Sequence, residues 1–144
     1  MLQLTEIIDP WNAAEQNTII TGNCELSQLP RLSGMVIEPT GNVQCKVRFF
    51  QENYRHCITV QIWGTVHVAC QRCLGLIETS LKTEVLLALV ANYAAMDTLP
   101  NIYEPLIVMD RKIKVLNIVE DEILLALPDF PVHEIDKDCV IINN

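Results

Sequence analysis

The stretch VQCKVRFFQENYRHCITVQIWGTVHV, residues 43–68, decides the architecture. Cys45, Val47 and Phe49 alternate with Gln44, Lys46 and Arg48. After QENY at 51–54 the alternation resumes, with Ile58, Val60, Ile62, Val66 and Val68 set against Thr59, Gln61, Trp63, Thr65 and His67. A period of two sends one set of side chains to a core and the other to water, the pattern of half-buried β-strands. The chain turns again at CQRCLG, residues 70–75. Ile77, Leu81, Val85, Leu87 and Leu89 then alternate with Glu78, Ser80, Lys82 and Glu84. Strands over 43–50, 57–69 and 76–90, joined by short turns, predict an antiparallel meander. Residues 91–104 read as an irregular excursion and 105–109 as an edge strand, so the sheet is expected to span 43–109.

Beyond this block the period changes. Over residues 116–127, Leu116, Val119, Ile123 and Leu127 recur at helical spacing on one face, and Pro128 stops the run. Asn117, Glu120 and Asp121 point elsewhere; Glu120, Asp121 and Glu122 are expected toward the N-terminal half, where the helix dipole favours negative charge. Residues 1–42 carry Pro10, Gly22, Pro30, Gly34, Pro39 and Gly41 and read as irregular short pieces, and 128–144 as a C-terminal tail. The expectation is one α+β domain: a curved antiparallel meander with a C-terminal amphipathic helix packed on it.

At 144 residues the chain buries a core of its own, and half its residues are apolar. The formal net charge of −8 repels RNA phosphates and anionic membranes at long range, so any work on nucleic acid needs a local basic patch or a protein intermediary. MLQLTEIIDP does not read as a secretory signal, and the longest apolar runs fall far short of the ~20 residues that span a bilayer. The expected location is the cytoplasm, where six cysteines serve as core residues or metal ligands rather than as disulfides.

Cys70 and Cys73, in a C-x-x-C turn between strands that Gly75 is expected to ease, can grip one metal ion and supply half of a tetrahedral site; His133 and Cys139 are candidates for the other half. Plain packing at a hairpin end is the competing reading. Thioredoxin-like chemistry is disfavoured because no helix N-terminus follows the pair. Successive helix residues diverge by about 100°, so Glu120, Asp121 and Glu122 cannot converge on one atom; a solvated face or a protein-docking surface fits them better. Lys46, Arg48 and Trp63, with Gln44, His67 and Arg55 nearby, put cations around an aromatic, the combination that binds single-stranded nucleic acid. No phosphate-binding glycine loop, nucleophile elbow or metalloprotease motif occurs in the sequence, which argues against an enzyme.

CQRCL at 70–74, YEPLIV at 103–108 and VEDEILLALPDFPVH at 119–133, followed by Cys139, resemble the YceD family of large ribosomal RNA subunit accumulation proteins. The family's G…RL element is echoed over residues 22–32. The resemblance implies a non-enzymatic accessory role in large-subunit (23S-type) ribosomal RNA accumulation, through precursor processing or early assembly. It implies as partners a ribosome-assembly or RNA-processing protein, or the precursor RNA itself. The expected protein-docking surface is the acidic helix with Glu120 and Asp121; a metal-stabilised RNA-binding module using Lys46, Arg48 and Trp63 is the alternative. Family members pair the CxRC element with Cys or His donors after the LPxxP segment, which maps a zinc ion onto Cys70, Cys73, His133 and Cys139. Many relatives carry a further C-terminal C-x-x-C that this sequence lacks.

Overall fold

A computed structural model describes residues 4–25, 28–32 and 42–127. In chain order the elements are β1 (Ile7–Ile8), α1 (Pro10–Glu15), β2 (Ile19–Glu25), β3 (Asn42–Glu52), β4 (Arg55–Ala69) and β5 (Leu76–Val90). A 3-10 helix (Tyr93–Thr98), β6 (Glu104–Ile107), β7 (Ile113–Lys114) and α2 (Val115–Ala126) follow. The main sheet runs β2-β3-β4-β5-β6, and β1 pairs with β7 beside it. The three strands expected from alternation are its centre, and the register matches their pattern: Val47 faces Val60, which faces Val85.

One face of the sheet carries the core. Ile20 and Cys24, then Val43, Cys45, Val47 and Phe49, then Ile58, Val60, Ile62, Val66 and Val68 are all buried there with Leu81 and Leu87. Ala13 and Ala14 of α1 join this cluster, as do Leu29, Leu32 and the apolar side of α2. Leu116, Val119, Ile123 and Leu127 are all buried, as the helical spacing requires. The helix ends at Ala126, and Leu127 is extended, the conformation favoured before a proline.

Four local features differ from the sequence expectation. The N-terminal part is not wholly irregular: Asp9 caps α1 by accepting from the Trp11 and Asn12 amides, Pro10 opens the helix, and β2 adds an edge strand antiparallel to β3. At Gly22, a Cβ would lie 3.2 Å from Leu4 Cδ1, so the strand is thinned where the N-terminal turn crosses it. The edge strand β6 begins at Glu104 and runs parallel to β5, which makes the sheet mixed. It tolerates Pro105 because its outer side lacks a ladder partner among the described residues. The first turn of α2 contains no acidic residue, so the dipole does not account for Glu120, Asp121 and Glu122. Finally, the left-handed residue of the CQRCLG turn is Leu74 (φ 62°), not Gly75.

Ile123 has no exposed surface and sits in the main cluster. Ile123→Ala should therefore lower stability by about 2–5 kcal/mol, read from urea unfolding, through the cavity it leaves.

Candidate functional site

The carboxylate of Glu120 is turned inward. Its residue is only 2% exposed, and it accepts from the Arg31 backbone amide (2.9 Å) and from Arg31 Nε (2.7 Å). The same guanidinium donates from Nη1 to Asp121 Oδ1 (2.5 Å) and from Nη2 to the Asn117 carbonyl (3.3 Å). The hydrogen bond to Glu120, with that to Asp121, raises the already high Arg31 pKa. Arg31 thus joins the two motifs that lie farthest apart in the chain, and Leu29 and Leu32 beside it are buried. The expectation that Glu120 is part of an exposed docking face is corrected: it is a structural anchor, because burial of an ionised carboxylate requires a partner. Asp121 remains exposed.

On the other flank of α2 a groove of about 410 Å³ runs between the helix and β6. Leu87, Leu106, Ile118, Leu124 and Leu125 form its apolar lining; Glu104, Asp121 and Glu122 supply its acidic groups. Glu122 is 9% exposed, and no hydrogen bond or ion pair to it occurs among the described residues, so its carboxylate oxygens reach solvent through the groove. Burial, followed by the neighbouring charges of Glu104 and Asp121, pushes its carboxyl above the ordinary range. Among the described residues no cluster of three or more His, Cys, Asp or Glu has the arrangement to hold a metal ion.

The second face of the sheet carries the other candidate set. Cross-strand pairing lines up Asn23, Gln44, Trp63 and Lys82 in one row, and Thr21, Lys46, Gln61 and Glu84 in the next. Trp63 is 41% exposed, and its Nε1 donates to Gln44 Oε1 (3.1 Å), which fixes the ring on the surface. Gln61, Trp63, Lys82 and Glu84 surround a shallow recess of about 460 Å³. Arg48 is exposed on the same face, as alternation requires, one row beyond Lys46, and its guanidinium stacks over Phe50, 4.5 Å from the ring centroid. Lys82 was not singled out by the sequence, although alternation on β5 turns it to this side. Arg55 lies over Tyr103 at the far end, and His67 stands 3.9 Å from Glu78.

Cys70 and Cys73 sit at the β4–β5 turn, buried with Ile77. The turn is closed by Cys70 N donating to the Gly75 carbonyl and Leu74 N to the Cys70 carbonyl, both at 2.8 Å. Two inward thiols at this spacing suit half of a zinc site. His133 and Cys139 lie outside the described residues, so a zinc ion shared by all four is a proposal, to be checked by elemental analysis of the purified protein. Cys24 and Cys45, which have no ligand spacing in sequence, meet in the core with their sulfurs 3.2 Å apart. Contact with Cys24, and then burial, drives the Cys45 thiol well above its usual range.

A sheet with one face covered by helices and the other covered at one end by the Phe50, Cys57, Ala88 and Tyr103 cluster, a helix clamped across it and an acidic apolar groove alongside define an α+β domain built around surfaces. Among the described residues no helix is long and apolar enough to cross a membrane. The family model for the large ribosomal RNA subunit accumulation protein YceD matches residues 58–141. The chain is also 32% identical over 136 residues to the large ribosomal RNA subunit accumulation protein YceD of Haemophilus influenzae, covering 92% of this chain and 77% of that protein. It belongs to the YceD family. No solved structure matches it.

Because the folded state raises the Glu122 pKa, it binds that proton more tightly than the unfolded chain does. The ionised form therefore costs stability at neutral pH, and the cost is relieved as pH falls through the raised pKa. Glu122→Gln should raise the melting temperature at pH 7, with a gain that shrinks toward zero as the pH is lowered through the carboxylate range.

Proposed function

We propose that this chain is a cytoplasmic accessory factor in the accumulation of large-subunit ribosomal RNA, acting in precursor processing or early assembly without a catalytic step of its own. The observation that carries this reading is 32% identity, across 92% of the chain, with a protein named for that role. Within it, docking to a protein partner is favoured over gripping bare RNA, because a net charge of −8 opposes phosphate at long range. One observation favours a second reading, an RNA-binding module: Trp63 is held at the surface with Lys82 opposite it and Lys46 in the neighbouring row. Aromatic stacking with flanking cations is the usual means of holding single-stranded bases.

In a bacterium whose own family member is deleted, expression of this chain should restore the ratio of large- to small-subunit ribosomal RNA. An unrestored ratio at normal protein abundance contradicts the assignment. The two readings separate in vitro. Binding to precursor RNA that falls steeply with salt, and is lost in a Lys46→Glu/Trp63→Ala variant, favours the RNA module. Retention of the function in cells by that variant favours protein docking.

A further inference from the structure

The groove between β6 and α2 holds a carboxylate that the fold leaves unanswered. Glu120 and Glu122 are separated by about 200° around the helix, so one faces the core side and Arg31 while the other faces β6. Glu120 is neutralised by Arg31. Glu122, buried to a tenth of its free surface, has no such partner among the described residues. Glu104, the first residue of β6, adds an exposed carboxylate that also lacks an ion pair among the described residues, and Asp121 shares Arg31 from its outer side. Around these charges the lining is leucine: Leu87, Leu106 and Leu124 are at least half-buried, and Leu125 stands 75% exposed at the rim.

A carboxylate that reaches solvent at the mouth of a leucine-lined trough is partly shielded from water, and so attracts a cation more strongly than a fully solvated one does. It also selects the kind of cation. A lysine or arginine can lay its methylene stem on the leucines and bring its head to the carboxylates. Phosphate chemistry is excluded by sign. A bare divalent ion fits poorly, since the described carboxylates do not form a metal-holding cluster.

We propose that this groove, formed by Glu104, Leu106, Glu122, Leu124 and Leu125, is the docking site for a basic, leucine-bearing segment of a partner protein. Aliphatic residues of the segment fill the trough, and its lysine or arginine heads pair with Glu104 and Glu122. The assignment rests on the accessory-factor reading for its biological setting, but the groove's chemistry can be tested without it. Charge pairs of this kind set specificity and association rate, while the apolar contacts hold the segment in place.

The test uses the full chain and a fluorescein-labelled, twelve-residue peptide of alternating lysine and leucine pairs, with a glutamate–leucine twin as control. Fluorescence anisotropy at physiological salt should show saturable binding of the lysine peptide and none of the twin. Glu104→Gln/Glu122→Gln should weaken it on the order of tenfold. Glu78→Gln/Glu84→Gln, which removes equal charge from strand β5 elsewhere, should leave affinity unchanged. Amide and methyl shifts should centre on Leu106, Leu124 and Leu125. The proposal is overturned if the two double variants weaken binding equally, which would mean non-specific attraction to an acidic protein. It is also overturned if the lysine peptide fails to bind, if methyl NOEs place residues 128–144 of the same chain in the groove, or if Glu104→Gln/Glu122→Gln dissociates a homodimer. Restoration of ribosomal RNA by the wild-type chain is read separately, so loss of the groove and loss of the accessory role cannot be confused.

Discussion

The structure depends on one buried ion pair. Glu120 lies on the underside of α2, where an ionised carboxylate is tolerated only if its hydrogen-bonding capacity is filled. Arg31 fills it from both its backbone amide and its guanidinium. Meeting that requirement pulls residues 28–32 onto the helix, buries Leu29 and Leu32 against the sheet and fixes how α2 is rotated about its own axis. The rotation has a further consequence on the opposite flank. With Glu120 committed inward, Glu122 must face β6, and the acidic groove exists because of it. A single constraint thus stabilises the core side and turns a carboxylate with no protein partner among the described residues toward the groove on the other.

The sheet divides the molecule in a similar way. Alternation along β3, β4 and β5 places an almost unbroken aliphatic layer on one side, which α1 and α2 cover. The same alternation puts Gln44, Lys46, Gln61, Trp63, Lys82 and Glu84 on the other. Cations and carboxylates are interleaved there, so that face lacks the single-sign field that would draw in a polyanion against the charge of the whole chain. The groove is more one-sided, with three carboxylates over leucine. That contrast favours protein recognition at α2 and β6, with a stacking surface at Trp63 as the alternative.

Elements whose signal is local were legible in the sequence. Period-two alternation located β3, β4 and β5 to within two residues at their ends, and the Leu116, Val119, Ile123, Leu127 spacing located α2. Elements fixed by tertiary partners were not. β2 carries Gly22 and Asn23, weak strand formers that pair only because β3 offers an edge. The parallel direction of β6 follows from the crossover through the 3-10 helix, which no periodicity encodes. Burial of Glu120 was hidden because its partner lies in a segment without regular spacing; the Arg31-Leu32 dipeptide of the family's G…RL element was the available signal. Alternation gives the face of Lys82, but its place opposite Trp63 and the Cys24–Cys45 contact emerge only from strand register. The C-terminal half of the suggested zinc ligand set falls outside the described residues.

The central claim is that Arg31 and Glu120 act as one unit. A double-mutant cycle of Arg31→Met and Glu120→Gln, measured by urea unfolding at neutral pH and low salt, tests it directly. The expected coupling energy is on the order of 2 kcal/mol, somewhat below that of a fully enclosed pair because the Arg31 side chain is half-exposed. Each single variant should also be less stable than the wild type. Additivity of the two changes to within ~0.5 kcal/mol would contradict this, since the pair would then not bind the N-terminal segment to α2.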